Sequence, residues 1–521
     1  MFLEPSAANV QDSHAEFPCP TRSICPECGH VLEAVLYTEH NQVWMNKYCP
    51  NHGQYIELIS SDVDFFVKRR RTHFNYPTGV ETIERSSADQ CPDKCGLCSE
   101  HKSTPCQVNI DLTNRCNLNC PICFANANAS GRVFEFTLEQ LEPILDKAMS
   151  LKPSPPFSIM YAGGEPTIHP DFCQAVQMAR DKGALEVLVA SNGLRFAKSQ
   201  DFTYKCAQAG LNNVYLQFDG ITDDIYEQSR GRPLYSTKMQ AMENLKQAGI
   251  KVTLVPTIVR GLNDHQIGDI FRLAVENTDV VSAVSFQPVS LTGRIDASKR
   301  REMRYTMADL ARDLQDQAGA VDMHNDWYPY SIVNPISRLA ESLTGKPKVH
   351  FNCHPHCGVA SYLLVDQETK EATPFTRFLD IEGAMAAIDK EARAIENRPW
   401  RQKLTRIQML RTLKKHFRQD QAPAGLSIDH IIEFVNTFIR ERDESERLEF
   451  HKLGERFDAL LLTAMHFQDN YNFEIDRVQN CVIHYAAPDG RFYPFCTWNS
   501  GPCHRERLEE LYAKPYERVF E

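Results

Sequence analysis

Three cysteines, Cys116, Cys120 and Cys123, stand at C-x3-C-x2-C spacing within Asn114–Ala125. Three thiolates in one short loop can hold three irons of a [4Fe–4S] cluster and leave the fourth open to a substrate or cofactor. A structural cluster normally takes four cysteines, so the missing ligand points to chemistry at the open iron. A zinc knuckle is the competing reading, but zinc pairs usually sit at C-x2-C and come in twos. The aromatic Phe124 directly follows the last cysteine.

The remaining cysteines also fall in groups, out of eighteen in 521 residues. Cys25-x2-Cys28 faces Cys49-x2-His52 across a strand-like stretch, Val31–Tyr48. That spacing is a tetrahedral metal site for either iron or zinc, with Cys19 competing as fourth ligand. A second C-x3-C-x2-C comprises Cys91, Cys95 and Cys98, with Cys106 or His101 in reach to close it. A closed site suggests electron transfer or structure. Cys353 and Cys357 pair with Cys481 and Cys496 as a third [4Fe–4S] site or a zinc site, with Cys503 spare. Cys173 and Cys206 stand alone. Grouped cysteines without an apolar leader segment indicate metal binding in a reducing cytosol.

The elements that must position these groups are legible in the hydrophobic periodicity. Strand-like runs occur at Val108–Thr113, Phe157–Ala162, Leu185–Ser191, Asn213–Phe218, Val252–Ile258 and Ala283–Val289. Helical patterns lie between them, at Leu138–Leu151, Phe172–Lys182, Phe202–Ala209, Ser236–Ala248 and Gln266–Asn277. This alternation predicts a parallel α/β sheet. Where such a sheet closes into a barrel, its chemistry lies at the C-terminal ends of the strands. The first strand ends at the open-cluster loop and the second at Gly163-Gly164-Glu165, where two glycines admit close backbone approach. Ser191 and Asn192 end the third strand and suit a ribose or a carboxylate. Gln217 and Asp219 end the fourth and are expected, with Ser191 and Asn192, to bind the cofactor. Residues 1–18 read as a loose leader, Lys68–Arg71 as a solvated basic run, and Trp327–Tyr330 as core. Residues 380–470 read as helical, with amphipathic stretches at Leu404–Phe417 and Ile428–Ile439 and an apolar run at Leu460–Phe467. A net charge of −11 argues against general nucleic-acid binding. No run of 18 apolar residues suggests a membrane span.

The open-cluster loop with its trailing aromatic, together with Gly163-Gly164-Glu165, resembles the radical S-adenosylmethionine (SAM) superfamily. That resemblance implies a partial (βα)6 barrel, SAM bound at the open iron, and Gly163, Gly164 and Glu165 holding its methionine amino group. The combination of Cys95–Cys98, Asp111–Cys116, Cys49–Gly53, Cys353–Gly358, Met465–Asp469 and Cys481–Tyr485 is similar to the family of tetraether and membrane-spanning lipid synthases. One relative there carries the name of a dihydropterin dimethyltransferase.

The expected organisation is an N-terminal metal-knuckle region (1–75), an auxiliary-cluster segment (76–106), the barrel (107–295) and a C-terminal α+β cluster-binding domain (296–521). Expected cofactors are three [4Fe–4S] clusters, SAM and one mononuclear iron or zinc. The resemblance implies a 5′-deoxyadenosyl radical that attacks an unactivated C–H bond. Joining of two lipid chain termini is the first functional expectation. Methyl transfer to a pterin precursor is the second, and a passive multi-cluster electron carrier the third. A narrow apolar channel would speak for lipid, and a compact pocket with acids and amides for pterin. Expected partners are that substrate, a small flavodoxin- or ferredoxin-type donor and peripherally the inner membrane face, with a cytoplasmic location.

Overall fold

The computed structural model describes residues 16–76, 78–84, 91–295, 297–397, 411–439 and 452–515. Six parallel strands lie side by side in chain order: Gln107–Thr113, Ser158–Gly163, Glu186–Ser191, Asn213–Gln217, Lys251–Val255 and Val281–Pro288. Each coincides with an expected apolar run to within one or two residues, except at one break. The fifth strand stops before Pro256, which has no amide hydrogen for a ladder, and resumes at Thr257–Ile258.

Strand alternation separates two populations of side chain. Val108, Ile110, Ile159, Val187, Val214, Leu254 and Phe286 face outward and form the main core with Leu145, Val176, Phe202, Leu245 and Ile270 of the surrounding helices. Asn109, Met160, Leu188, Tyr215, Thr253 and Ser285 face inward onto a cavity. The helices follow their local signals. Thr137 and Gln140 form a reciprocal capping box at the start of Leu138–Met149. Leu141, Ile144, Leu145 and Ala148 then bury one stripe of that helix.

The C-terminal region joins the barrel sheet at both edges, across the boundary expected at 295. Phe457–Met465 pairs in parallel with Val281–Pro288, and Ile483–Ala486 pairs in parallel with Gln107–Thr113. Two antiparallel strands, Gly358–Asp366 and Phe492–Pro494, extend the sheet further. Phe457–Met465 corrects the expectation that 380–470 is helical. Its apolar run is buried between two strand neighbours, and periodicity alone cannot tell such a strand from a buried helix. Ile381–Asn397 and Ile428–Ile439 are helices as expected. Of Leu404–Phe417, positions 404–410 lie outside the described residues, as do positions 1–15 of the expected leader.

The N-terminal unit is a four-stranded antiparallel sheet, Cys19–Ile24, Val31–Glu39, Gln42–Cys49 and Gly53–Ser60. His40 and Asn41, both at positive φ, make the two-residue hairpin turn. The inner face, Ala34, Leu36, Val43 and Met45, packs on Val63, Phe66 and Val67 of the helix Val63–Arg71. That helix carries the basic run, and Arg69 is buried rather than solvated.

Buried polar contacts bind this unit to the C-terminal segment 469–474. Arg304 donates to Glu57 at 2.6 Å and to both carboxylate oxygens of Asp469 at 2.7 and 3.2 Å. Lys47 donates to the Ser23 hydroxyl at 3.0 Å and the Asn470 carbonyl at 3.1 Å. The Ser23 hydroxyl donates to the Phe473 carbonyl at 2.5 Å. Removing one member of a buried ion group leaves uncompensated charge and costs about 3–5 kcal/mol. Arg304→Ala is therefore expected to lower unfolding stability by about that amount in urea titration. Arg300→Ala, at the partly exposed rim of the same group, should cost under about 1 kcal/mol.

Candidate active site

The open-cluster loop is positioned by backbone contacts with the second strand. The Gly164 N–H donates to the Thr113 carbonyl and the Glu165 N–H to the Arg115 carbonyl, both at 2.8 Å. A Cβ on Gly163 would stand 2.1 Å from the Thr113 oxygen, and one on Gly164 would stand 2.1 Å from the Arg115 oxygen. Both positions need glycine because two backbones touch there.

Polar side chains hold the rest of the loop. Asn128, at positive φ, accepts from the Cys116 N–H at 3.0 Å and donates to the Cys116 and Leu118 carbonyls at 3.0 and 3.2 Å. Arg294 donates to Asn119 at 2.6 Å, to the Cys120 carbonyl at 2.9 Å and to the Ala127 carbonyl. Arg230 donates to the Ile122 carbonyl at 2.6 Å and forms a two-point pair with Asp219 at 2.6 and 2.9 Å. Asp219 accordingly does not line the cavity; it orients Arg230 beneath the loop and accepts from the Thr257 N–H at 3.1 Å. Gln217 does line it.

Glu165 is buried. Its Oε1 accepts from the Thr167 N–H at 3.2 Å, the Thr167 hydroxyl at 2.5 Å and the Ser191 hydroxyl at 2.8 Å. Its Oε2 accepts only the Asn192 N–H, at 2.7 Å, and keeps lone-pair capacity for a further donor. Burial raises its pKa, and these hydrogen bonds oppose the rise. The Asn192 amide reaches Asn117 of the cluster loop at 2.7 Å. Sequence reading missed Lys238, which is fully buried and donates to the Asn192 carbonyl at 2.6 Å and to Gln217 at 2.8 Å. Burial holds its pKa down at about 7. Nothing in the pattern of helix Tyr235–Gln247 distinguishes this lysine from a surface one.

Cys116, Cys120 and Cys123 face one cavity of about 1350 Å3 together with Gly163, Gly164, Glu165, Ser191 and Asn192. Burial pushes the Cys116 thiol up to about 12. Its thiolate form needs a bound cation, and three such donors facing one space fit a cluster with an open iron.

The auxiliary cysteines regroup relative to expectation. Cys106 does not close the Cys91, Cys95 and Cys98 loop. It shares an apolar cluster with Cys353, Cys357 and Val482, and donates to the His350 carbonyl at 3.1 Å. Burial pushes Cys353 well up, and Cys357, Cys106 and Cys481 add to the effect. Sequence distance hid this grouping, because the strand pairing of Ile483–Ala486 with Gln107–Thr113 brings the segments together. Cys106, Cys353, Cys357, Cys481 and Cys496 all line the large cavity. Cys91, Cys95 and Cys98 line a separate small one with His101. His101 contacts the Cys481 carbonyl at 2.9 Å through Nε2. Buried Arg477 acts on Cys357, Cys496 and Glu474 and donates to the His466 carbonyl at 2.5 Å, while its Nε has no hydrogen-bond partner among the described residues. A buried guanidinium among thiols calls for the negative charge that ligating thiolates supply.

The N-terminal site is the one group of metal-ligand atoms within 4.8 Å of each other among the described residues: Cys25, Cys28, Cys49 and His52. Cys19 is outside it. The closeness suits a single tetrahedral ion, whereas a four-iron cube spaces its thiolates further apart.

The cavity has two characters. Inside the barrel its wall carries Asn109, Asn213, Gln217, Thr253, Ser285 and Gln287. A side lobe is apolar, with Ile336, Tyr362, Phe375, Met385, Ile431 and Phe434. Trp327 is core, as expected, while Tyr328 and Tyr330 line the cavity. Between the two cysteine sets stands an aromatic wall: Phe467 stacks on Phe495 at 3.8 Å, and Phe124 meets Phe495 at 5.4 Å.

Comparison with known proteins places these features. Residues 110–274 match the radical SAM superfamily, and residues 17–61 match the HMPTM N-terminal zinc ribbon domain. A 7,8-dihydro-6-hydroxymethylpterin dimethyltransferase of Methanocaldococcus jannaschii is 38% identical over 498 residues, spanning 95% of this chain and 96% of that protein. Fe-coproporphyrin III synthase of Methanosarcina barkeri is 30% identical over 186 residues, 35% of this chain and 44% of that protein. SuiB of Streptococcus suis, solved with S-adenosylmethionine, overlays with a TM-score of 0.34 at 18% identity, covering 41% of this chain and 47% of that one.

Gly164→Ala tests the backbone contact. The variant is expected to lose the iron and sulfide of one cluster by chemical analysis, while the metal at Cys25, Cys28, Cys49 and His52 remains.

Proposed function

The chain belongs to the radical SAM superfamily, in the family of the Methanocaldococcus dimethyltransferase, and from that premise we propose that it transfers a methyl group to a carbon of a reduced pterin. Likeness along 95% of the chain supports this reading. The observation that carries it is the amide-lined barrel interior, where Asn109, Asn213 and Gln287 open onto the cavity that holds Cys116, Cys120 and Cys123. Amides offer both donors and acceptors, as a flat nitrogen heterocycle requires.

When bound, the cluster and SAM supply one-electron cleavage of a carbon–sulfur bond and hydrogen removal from an unactivated carbon. This chain's residues do the rest. Cys116, Cys120 and Cys123 would hold the cluster, and Gly163, Gly164 and Glu165 the amino end of SAM, with Glu165 Oε2 open to an ammonium. Ser191, Asn192 and Gln217 would orient its polar parts, with Lys238 fixing Asn192 and Gln217. Phe124, Phe467 and Phe495 keep water from the space between the cysteine sets. Cys106, Cys353, Cys357, Cys481 and Cys496 supply more donors than one further cluster needs, and Cys91, Cys95 and Cys98 offer three to another. The zinc-ribbon match favours zinc over iron at Cys25, Cys28, Cys49 and His52.

A second reading rests on the side lobe. Its apolar residues, Ile336, Phe375, Met385 and Phe434 among them, suit a lipid chain. The comparisons favour the pterin; they lend no support to the joining of lipid chains.

Reduced, cluster-loaded enzyme given SAM and 7,8-dihydro-6-hydroxymethylpterin should yield a methylated pterin by mass spectrometry. Unaltered pterin, alongside lipids of doubled chain length in an expressing host, would transfer the case to the second reading. Cys120→Ala should end 5′-deoxyadenosine production and leave the other metal sites occupied. Undiminished deoxyadenosine would remove this loop as the SAM site.

A further inference from the structure

Cys173 and Cys206 take no part in the cavity or in the metal groups. They lie on the outside of the barrel, on neighbouring helices, with their sulfurs 3.7 Å apart. We propose that they form a redox-active thiol pair: Cys173 attacks a small disulfide, and Cys206 resolves the product into an internal disulfide.

The geometry assigns the roles. Cys173 is partly buried and Cys206 fully so, and an incoming reagent therefore meets Cys173 first. Cys173 sits in the first turn of the helix Phe172–Asp181, where helix N–H groups favour a thiolate. The hydrogen bond from Cys206 lowers the Cys173 pKa to about 7, with Arg195 and Lys205 contributing, and the same contact raises Cys206. An attacking thiol is most effective when its pKa lies near ambient pH. The sulfurs stand at van der Waals contact, 3.7 Å apart, and a disulfide brings them to roughly 2.05 Å.

The step balances. The Cys173 thiolate forms a bond to one sulfur of the small disulfide and expels the other as a thiolate. Cys206 then attacks the Cys173 sulfur, loses its proton and expels the second small thiol. Two protein thiols are oxidised, and one small disulfide is reduced to two thiols.

The pair stands beside the SAM-site framework. Arg195, placed over the Phe202 ring at 3.9 Å on the Cys206 helix, donates to the Thr167 carbonyl, and Thr167 holds Glu165. A cross-link would join the two helices that flank this contact.

The test is anaerobic incubation of the cluster-loaded full chain with oxidised glutathione at pH 7, then acid quench and peptide mass spectrometry. The native protein should give the Cys173 peptide joined to the Cys206 peptide. Cys206→Ser should instead accumulate glutathione on Cys173, and Cys173→Ser should give neither product at a comparable rate. Alkylation of Cys173 in the native fold should run roughly ten-fold faster than in the urea-unfolded chain. Absence of both the cross-link and the adduct overturns the proposal. An adduct on Cys206 forming as fast as that on Cys173 overturns the assignment of roles. Native alkylation no faster than that of the unfolded chain removes its chemical basis.

Discussion

Two backbones in contact set the geometry of the site. The Gly163–Glu165 segment lies directly against the Thr113–Arg115 segment, with two hydrogen bonds of 2.8 Å and no room for a Cβ at either glycine. The contact fixes where the cysteine loop leaves the first strand. It also places Glu165 where Ser191 and Asn192 of the third strand can reach its carboxylate. Asn192 then returns to the loop through Asn117, and Lys238 ties Asn192 to Gln217 of the fourth strand. Four strand ends are thus joined in one network that begins with the absence of two side chains.

Around this network several buried charges are paired with opposite ones. Arg230 meets Asp219 under the cluster loop, Arg505 meets Asp111 at the first strand, and Arg304 meets Glu57 and Asp469 where the ribbon docks. Such pairs recover little net stability once desolvation is counted. The two-point contacts of Arg230 with Asp219 and of Arg304 with Asp469 instead fix register. Arg304 and Arg505 tie segments far apart in the chain, and Arg230, held by Asp219, reaches the Ile122 carbonyl of the cluster loop, so the cysteine sets arrive in the cavity at set positions. Arg477 lies among thiols with Glu474 in electrostatic reach, and metal-bound thiolates would complete its environment.

The C-terminal region completes the cavity rather than forming a separate lobe. Phe457–Met465 and Ile483–Ala486 extend the parallel sheet at its two edges, and their inward residues carry the wall from Leu461 and Met465 round to Ile483 and Tyr485. The extension puts Cys481 and Cys496 into the same space as Cys116, and the amide-rich barrel next to an apolar arm.

Local spacing by itself determined the open-cluster loop, the knuckle of Cys25, Cys28, Cys49 and His52, and the six barrel strands with their helices. In each case the ligands are close in sequence, or the hydrophobic period has only one face to bury. Tertiary structure alone decided that Cys106 sits with Cys353 and Cys357, that Asp219 supports the loop through Arg230 and does not face the cavity, and that Lys238 is buried at the site. It also decided that Phe457–Met465 is a strand. The physical reason is common to all four. Each depends on a partner contributed by another element, through strand pairing, a buried ion pair or a buried hydrogen bond, and short-range periodicity carries no record of that partner.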